Sequence, residues 1–190
     1  MTKARDLANG GFGLVLIKPS TVVNGTDNGK GTVSFSAQSS VSLNNVFSST
    51  YTNYKLVLNI NTPSLDTQTL LRLRVSNTDA TTSDYTTAGD QITDGGARAP
   101  FGGAASFWYL LDMDAGAAGT NYNTSIDIYN PFLTQRTTAS ATVSNVSSAG
   151  SFKGGYTGWL HTLTTSYTGF TLLPGTGTIS GQVSVYGYNN

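Results

Sequence analysis

Apolar residues recur at every second position in short runs along this chain. Tyr54, Leu56, Leu58 and Ile60 alternate with Lys55, Val57 and Asn59, a period-two pattern that predicts a strand with one apolar face. Leu71, Leu73 and Val75 alternate with Arg72 and Arg74 beyond a turn that contains Pro63. The two strands are therefore expected to pair as a hairpin, with both arginines pointing away from the core. Val33 with Phe35, Ile126 with Ile128, and Val183 with Val185 repeat the alternation. Gly, Asn, Asp, Ser and Pro break the runs at the spacing of a sandwich or barrel, so about eight to ten strands are expected. The expected core is Leu56, Leu58, Ile60, Leu71, Leu73, Val75, Ile126, Ile128, Val183 and Val185.

Two regions depart from this pattern. Leu14 to Ile17 is apolar at both parities, as in a strand covered on both sides, whereas an antiparallel sandwich in water normally keeps one face polar. A second copy of the chain is the expected cover, which makes Leu14 and Leu16 candidate interface residues. The segment from Gly95 to Gly119 is rich in Gly and Ala around the run Phe107, Trp108, Tyr109. It reads as long loops flanking one strand, with the aromatic run as a second candidate contact between copies. Ahead of the strands, Thr2 to Ala8 holds the only short stretch of good helix formers and stops at Asn9-Gly10-Gly11. The expected organisation is an attachment arm over residues 1–12, with Lys3, Arg5 and Leu7 as its docking side chains, and an antiparallel β-sandwich over 13–190. No fixed-period repeat occurs, which excludes propellers and solenoids.

Composition strengthens the all-β reading. Thr, Ser, Asn and Gly make up 87 of the 190 residues and there is no Glu, a balance that favours strands and turns over helices. Ten basic and ten acidic residues cancel, leaving no electrostatic footprint for nucleic acid. The absence of cysteine removes disulfides, thiolate nucleophiles and sulfur-ligated metals. The longest apolar runs fall far short of the roughly 20 residues that cross a bilayer, so no membrane insertion and no secretory leader are expected.

Candidate chemistry is sparse. His161 is the single histidine and no Gly-x-Ser-x-Gly elbow accompanies it, so it reads as an ordinary strand residue rather than a triad member. Asp112, Asp114 and Gly116 form the first half of a calcium loop, but such loops close with a bidentate Glu that this chain lacks. They read as a solvated turn, and no catalytic, cofactor or metal residue is assigned. Gly25 to Gly31 resembles a phosphate loop but is one residue short and lacks Ser or Thr after Lys30, so Asn28-Gly29 reads as a hairpin turn. Tyr186 and Tyr188 lie on the face opposite Val183 and Val185, and form a candidate platform for a sugar or a protein partner. Tyr129, Tyr156 and Tyr167 are expected at strand ends or turns.

Four phrases carry a family resemblance. They are Thr2-Lys3-Ala4-Arg5-Asp6-Leu7-Ala8, the stretch Val46-Phe47-Ser48-Ser49-Thr50-Tyr51-Thr52-Asn53-Tyr54, Ile126-Asp127-Ile128-Tyr129-Asn130-Pro131, and the ending from Gly177 through Gln182 to Tyr188. In this order they resemble small β-sandwich structural proteins of tailed bacteriophages. The resemblance implies a jelly-roll-like domain in a fibre, fibre tip or head-surface protein, commonly trimeric and without catalytic residues. The expectation is thus a non-enzymatic virion protein on the particle surface. Its partners would be itself as a homotrimer, other virion proteins and a host surface glycan. A carbohydrate-binding module or lectin is the alternative.

Overall fold

The computed structural model describes residues 13–61, 63–115, 122–146 and 151–189. The arm residues Lys3, Arg5 and Leu7, and Gly116 of the aspartate motif, lie outside them. The described residues form sixteen strands and no helix. In chain order these are β1 (Gly13–Ile17), β2 (Thr21–Val23), β3 (Thr26–Asp27), β4 (Thr32–Gln38), β5 (Val41–Asn44), β6 (Asn53–Ile60), β7 (Thr67–Val75) and β8 (Thr78–Asp79). They continue with β9 (Tyr85–Thr93), β10 (Arg98–Ala105), β11 (Trp108–Met113), β12 (Tyr122–Tyr129), β13 (Thr137–Val146), β14 (Phe152–His161), β15 (Gly169–Pro174) and β16 (Ile179–Asn189).

Two antiparallel sheets stack as a sandwich. The larger runs β10-β9-β14-β13-β12-β6-β16-β4-β3, with β1 beside the far half of β16, and the smaller runs β11-β7-β15-β5-β2, with β8 on the end of β7. Numbering β4, β5, β6, β7, β11, β12, β15 and β16 as one to eight gives the sheet orders 1-8-3-6 and 2-7-4-5. That is the strand order of a jelly roll. The expected eight to ten strands fall short of the sixteen described, of which eight make this body. The excess comes from short edge pieces and from two inserted pairs, β9-β10 and β13-β14, which lengthen the larger sheet beyond β12 into a four-stranded wing.

Burial follows the alternation. Tyr54, Leu56, Leu58, Ile60, Val183, Val185, Ile126 and Ile128 from the larger sheet meet Leu71, Leu73, Phe170, Leu172 and Leu43 from the smaller one in a single buried cluster. Nine of the ten expected core residues are buried; Val75 is 37% exposed. It ends β7 beside the Ser76-Asn77 turn, where φ values of 49° and 65° bend the chain back into β8 and away from the core. The abundance of Asn has a local cause as well. Asn24, Asn45, Asn77 and Asn130 are four of the six non-glycine residues with positive φ among those described, a conformation whose cost a short amide side chain lowers.

Two expectations are corrected. β6 and β7 do not form a hairpin: they lie in opposite sheets. Leu56, Leu58 and Ile60 of β6 meet Leu71 and Leu73 of β7 across the sandwich rather than edge to edge. The segment after Gly95 is not loop alone, because Arg98–Ala105 forms the edge strand β10 and pairs with β9 along its length. Its Gly and Ala hide the strand from a periodicity reading because they carry no alternation of bulk. The Asn28-Gly29 turn is as expected. It closes the β3–β4 hairpin, with Asp27 Oδ1 accepting from Gly29 N at 3.1 Å and Gly31 N at 2.9 Å.

Candidate functional site

The candidate surface is the outer face of the larger sheet, where strand registers bring residues of eight strands into one row. Directly paired residues share a face, and the pairings run Leu16, Tyr186, Lys55, Asp127, Ser140, Gly158, Ala88 and Gly102 across eight strands. A parallel row holds Val57, Ser125, Thr142, Tyr156 and Asp90.

Near its middle the row is tied by a charged pair. Lys55 Nζ lies 2.7 Å from Asp127 Oδ1 and donates to Ser125 Oγ at 3.0 Å. The Tyr188 hydroxyl donates to the same carboxylate, and Lys55 Nζ stands 6.0 Å from the centre of the Tyr188 ring. Burial pulls the Lys55 ammonium down, but its bonds to Asp127 and Tyr188 outweigh this and leave its pKa above the ordinary lysine value. Burial, reinforced by Asp127, pushes the Tyr188 hydroxyl up.

Beyond Asp127 the row becomes small, and a trough of about 660 Å³ opens over β12, β13, β14 and β9. Lys55 and Asp127 bound one end; Ser125, Ser140, Thr142, Gly158 and Ala88 form the floor; Tyr156 rises beside it with 65% of its surface exposed. Two glycines of β14 differ here. A Cβ on Gly155 would sit 2.1 Å from the Asp90 carbonyl oxygen, so the packing of β9 requires a glycine. A Cβ on Gly158 would meet nothing nearer than 3.9 Å, so the sheet does not require one there.

Sequence-predicted site residues scatter over this framework. Tyr186 and Tyr188 are half-buried on the outer face, next to the trough rather than in it. Leu14 and Leu16 face them from β1, 44% and 36% exposed, and Val15 on the other side of that strand is 40% exposed. No described element of the chain covers this strand. Of the aromatic run, Trp108 is corrected: it is fully buried, its indole N–H donating to the Leu160 carbonyl at 3.1 Å, so it offers no surface to a second copy. Phe107 and Tyr109 are half-buried around a separate cavity of about 320 Å³ with Phe101, whose ring centre lies 5.5 Å from that of Tyr109.

Tyr167, expected at a strand end or turn, lies between β14 and β15 and is buried, its hydroxyl 3.1 Å from His161 Nδ1. Tyr156 lies mid-strand in β14, not at a strand end or turn. His161 is also fully buried, edge-on to Tyr85 at 4.3 Å between ring centres, and burial lowers its pKa. Asp112 is half-buried in β11, while Asp114 is buried with its backbone bracketing the Tyr122 hydroxyl: Asp114 N donates to it at 2.7 Å and Asp114 O accepts from it at 3.0 Å. Asp112 lies within a strand and Asp114 is buried, so the pair is not a solvated turn. Among the described residues, no three His, Asp or Glu side chains gather as a metal site.

Sequence reasoning missed Lys55, Asp127, Ser140 and Gly158 as a group. Each stands at the polar parity of its own strand, but only register brings four separate strands into one row. The chain matches no family model, no curated protein and no solved structure.

Proposed function

We propose that this chain is a non-enzymatic structural protein displayed on the surface of a tailed-phage particle, as a fibre, fibre-tip or head-surface component. It works as a homotrimer, by assembly and by binding. The observation that carries the proposal is β1: Leu14, Val15 and Leu16 stand exposed at the rim of a jelly roll, beside Tyr186 and Tyr188. Three adjacent large apolar side chains on one strand are costly in water, and a symmetric second contact removes that cost without leaving open ends. The resemblance of the four ordered phrases to small virion β-sandwich proteins supplies the phage context and favours three copies. The arm over residues 1–12 would dock on another virion protein.

Sedimentation equilibrium of the full chain at micromolar concentration checks the assembly. A species of three chains is expected, dissociated by Leu16→Asp, while Val57→Asp elsewhere on the same face leaves it intact. A monomer at every concentration overturns the proposal. A lectin or carbohydrate-binding module acting in its own right is the second reading, favoured by the open trough with its exposed tyrosine.

A further inference from the structure

We infer that the trough between Lys55 and Ala88 binds a neutral polysaccharide. This deepens the binding half of the proposed function and is independent of its assembly half. The first argument is Gly158. A glycine inside a strand weakens it, and marks a bulge, a close approach of another backbone, or the approach of a ligand. Gly158 pairs regularly with Ser140 and Ala88. The nearest atoms to an added Cβ are the Ala88 and Ala139 carbonyl oxygens at 3.9 and 4.0 Å. Neither a bulge nor a neighbouring backbone accounts for it; a side chain there would stand on the floor of the trough.

Charge and hydrogen bonding then select the ligand. Among the described residues the charged side chains lining the floor are Lys55 and Asp127, which neutralise each other, and beside Tyr156 the Asp90 carboxylate is likewise paired with Arg98. A polyanion or an acidic peptide finds no free cation, and the backbone of the floor is committed to the sheet, so an extended peptide cannot add to it as a strand. What remains are hydroxyls on Ser125, Ser140 and Thr142, each able to donate and to accept, and the open ring of Tyr156. A sugar presents the complement, with hydroxyls around its rim and an apolar C–H face to lay on an aromatic ring. From β6 to β9 the floor crosses five strands, about 19 Å at the usual strand spacing. The space above this floor is open to solvent, so a polymer can reach it from outside.

The test is affinity electrophoresis of the full chain through gels containing dextran, mannan, galactan or β-1,3-glucan, with anionic alginate as the opposing arm. At least one neutral polymer should retard the protein. Tyr156→Ala and Gly158→Val should each weaken that retardation tenfold or more, and Gly158→Val should at the same time raise Tm by about 1–4 °C, because a strand former replaces glycine. Retardation by alginate alone, by no polymer, or undiminished in both variants overturns the inference. A monomer that is retarded in the expected way removes the assembly proposal and keeps the trough; a trimer that is not retarded does the reverse.

Discussion

The jelly-roll body and the wing added to it are built on different terms. In the body, two sheets face each other and large side chains fill the space: Tyr54, Leu56, Leu58 and Ile60 of β6 lie against Leu71, Leu73, Phe170 and Leu172 of the smaller sheet. In the wing, the smaller sheet supplies chiefly β11, which lies over β13 and β9, and the inward side chains are mixed, with Trp159 and Val143 beside Thr137, Asn145 and Thr157. Every buried side-chain nitrogen or oxygen without a hydrogen-bond partner among the described residues belongs to the wing, on Asp90, Thr137, Asn145 and Thr157. A buried polar atom left unpaired costs free energy that the body does not spend. The wing is thus the weaker region, and it supplies most of the trough.

The contrast can be broken most forcefully at the two cores. Leu58→Ala in the body should lower unfolding free energy by about 2–5 kcal/mol, the usual range for a buried leucine. Val143→Ala in the wing should lower it by only about 1–2 kcal/mol, the worth of the apolar groups removed. Urea denaturation measures both, and equal losses would show that the wing is packed as tightly as the body. A smaller effect of opposite sign is expected at Thr157, whose buried hydroxyl has no partner. Thr157→Val should raise stability by about 1 kcal/mol, because it removes a desolvated polar group at nearly constant shape; a loss would mean that the hydroxyl is satisfied in solution.

The smallest effect is a pH dependence at His161, at the root of the wing. Burial lowers its pKa below the ordinary 6.5, with Asp84 opposing. The folded state therefore resists protonation while the unfolded state accepts it. The stability contribution is complete above about pH 6.5 and is lost as pH falls from there toward the folded-state pKa. Thermal scans should show this acid limb in the wild type and a flatter one in His161→Gln, which keeps a polar partner for the Tyr167 hydroxyl. Identical limbs would assign the acid loss to carboxylates instead. At the alkaline end the sign reverses. Burial raises the hydroxyl pKa of Tyr54, Tyr85 and Tyr167, so stability is full below about pH 10 and falls above it.

The body was legible in the sequence and the wing largely was not, for a physical reason. A strand between two sheets must place bulk on one parity, as Leu56, Leu58 and Ile60 do, and the pattern is local enough to read. β10 has only one neighbour and almost no buried side chain, so nothing forces alternation on Ala99, Gly102, Gly103 and Ala104. Parity reveals which way a strand faces but not which strand lies beside it, which is why β6 and β7 read as a hairpin although they belong to opposite sheets. The trough is a property of register over several strands, and Lys55 and Asp127 stand 72 positions apart. The burial of Trp108 also depends on a distant partner, the Leu160 carbonyl on β14.

The central claim, display on a phage particle, is tested most directly by immunogold electron microscopy of particles purified from the lysate in which the chain is produced. Antibody raised against residues 13–190 should place gold on the outside of intact particles, in clusters consistent with trimeric copies. Unlabelled particles, with the whole of the chain recovered in the soluble fraction, would contradict the account.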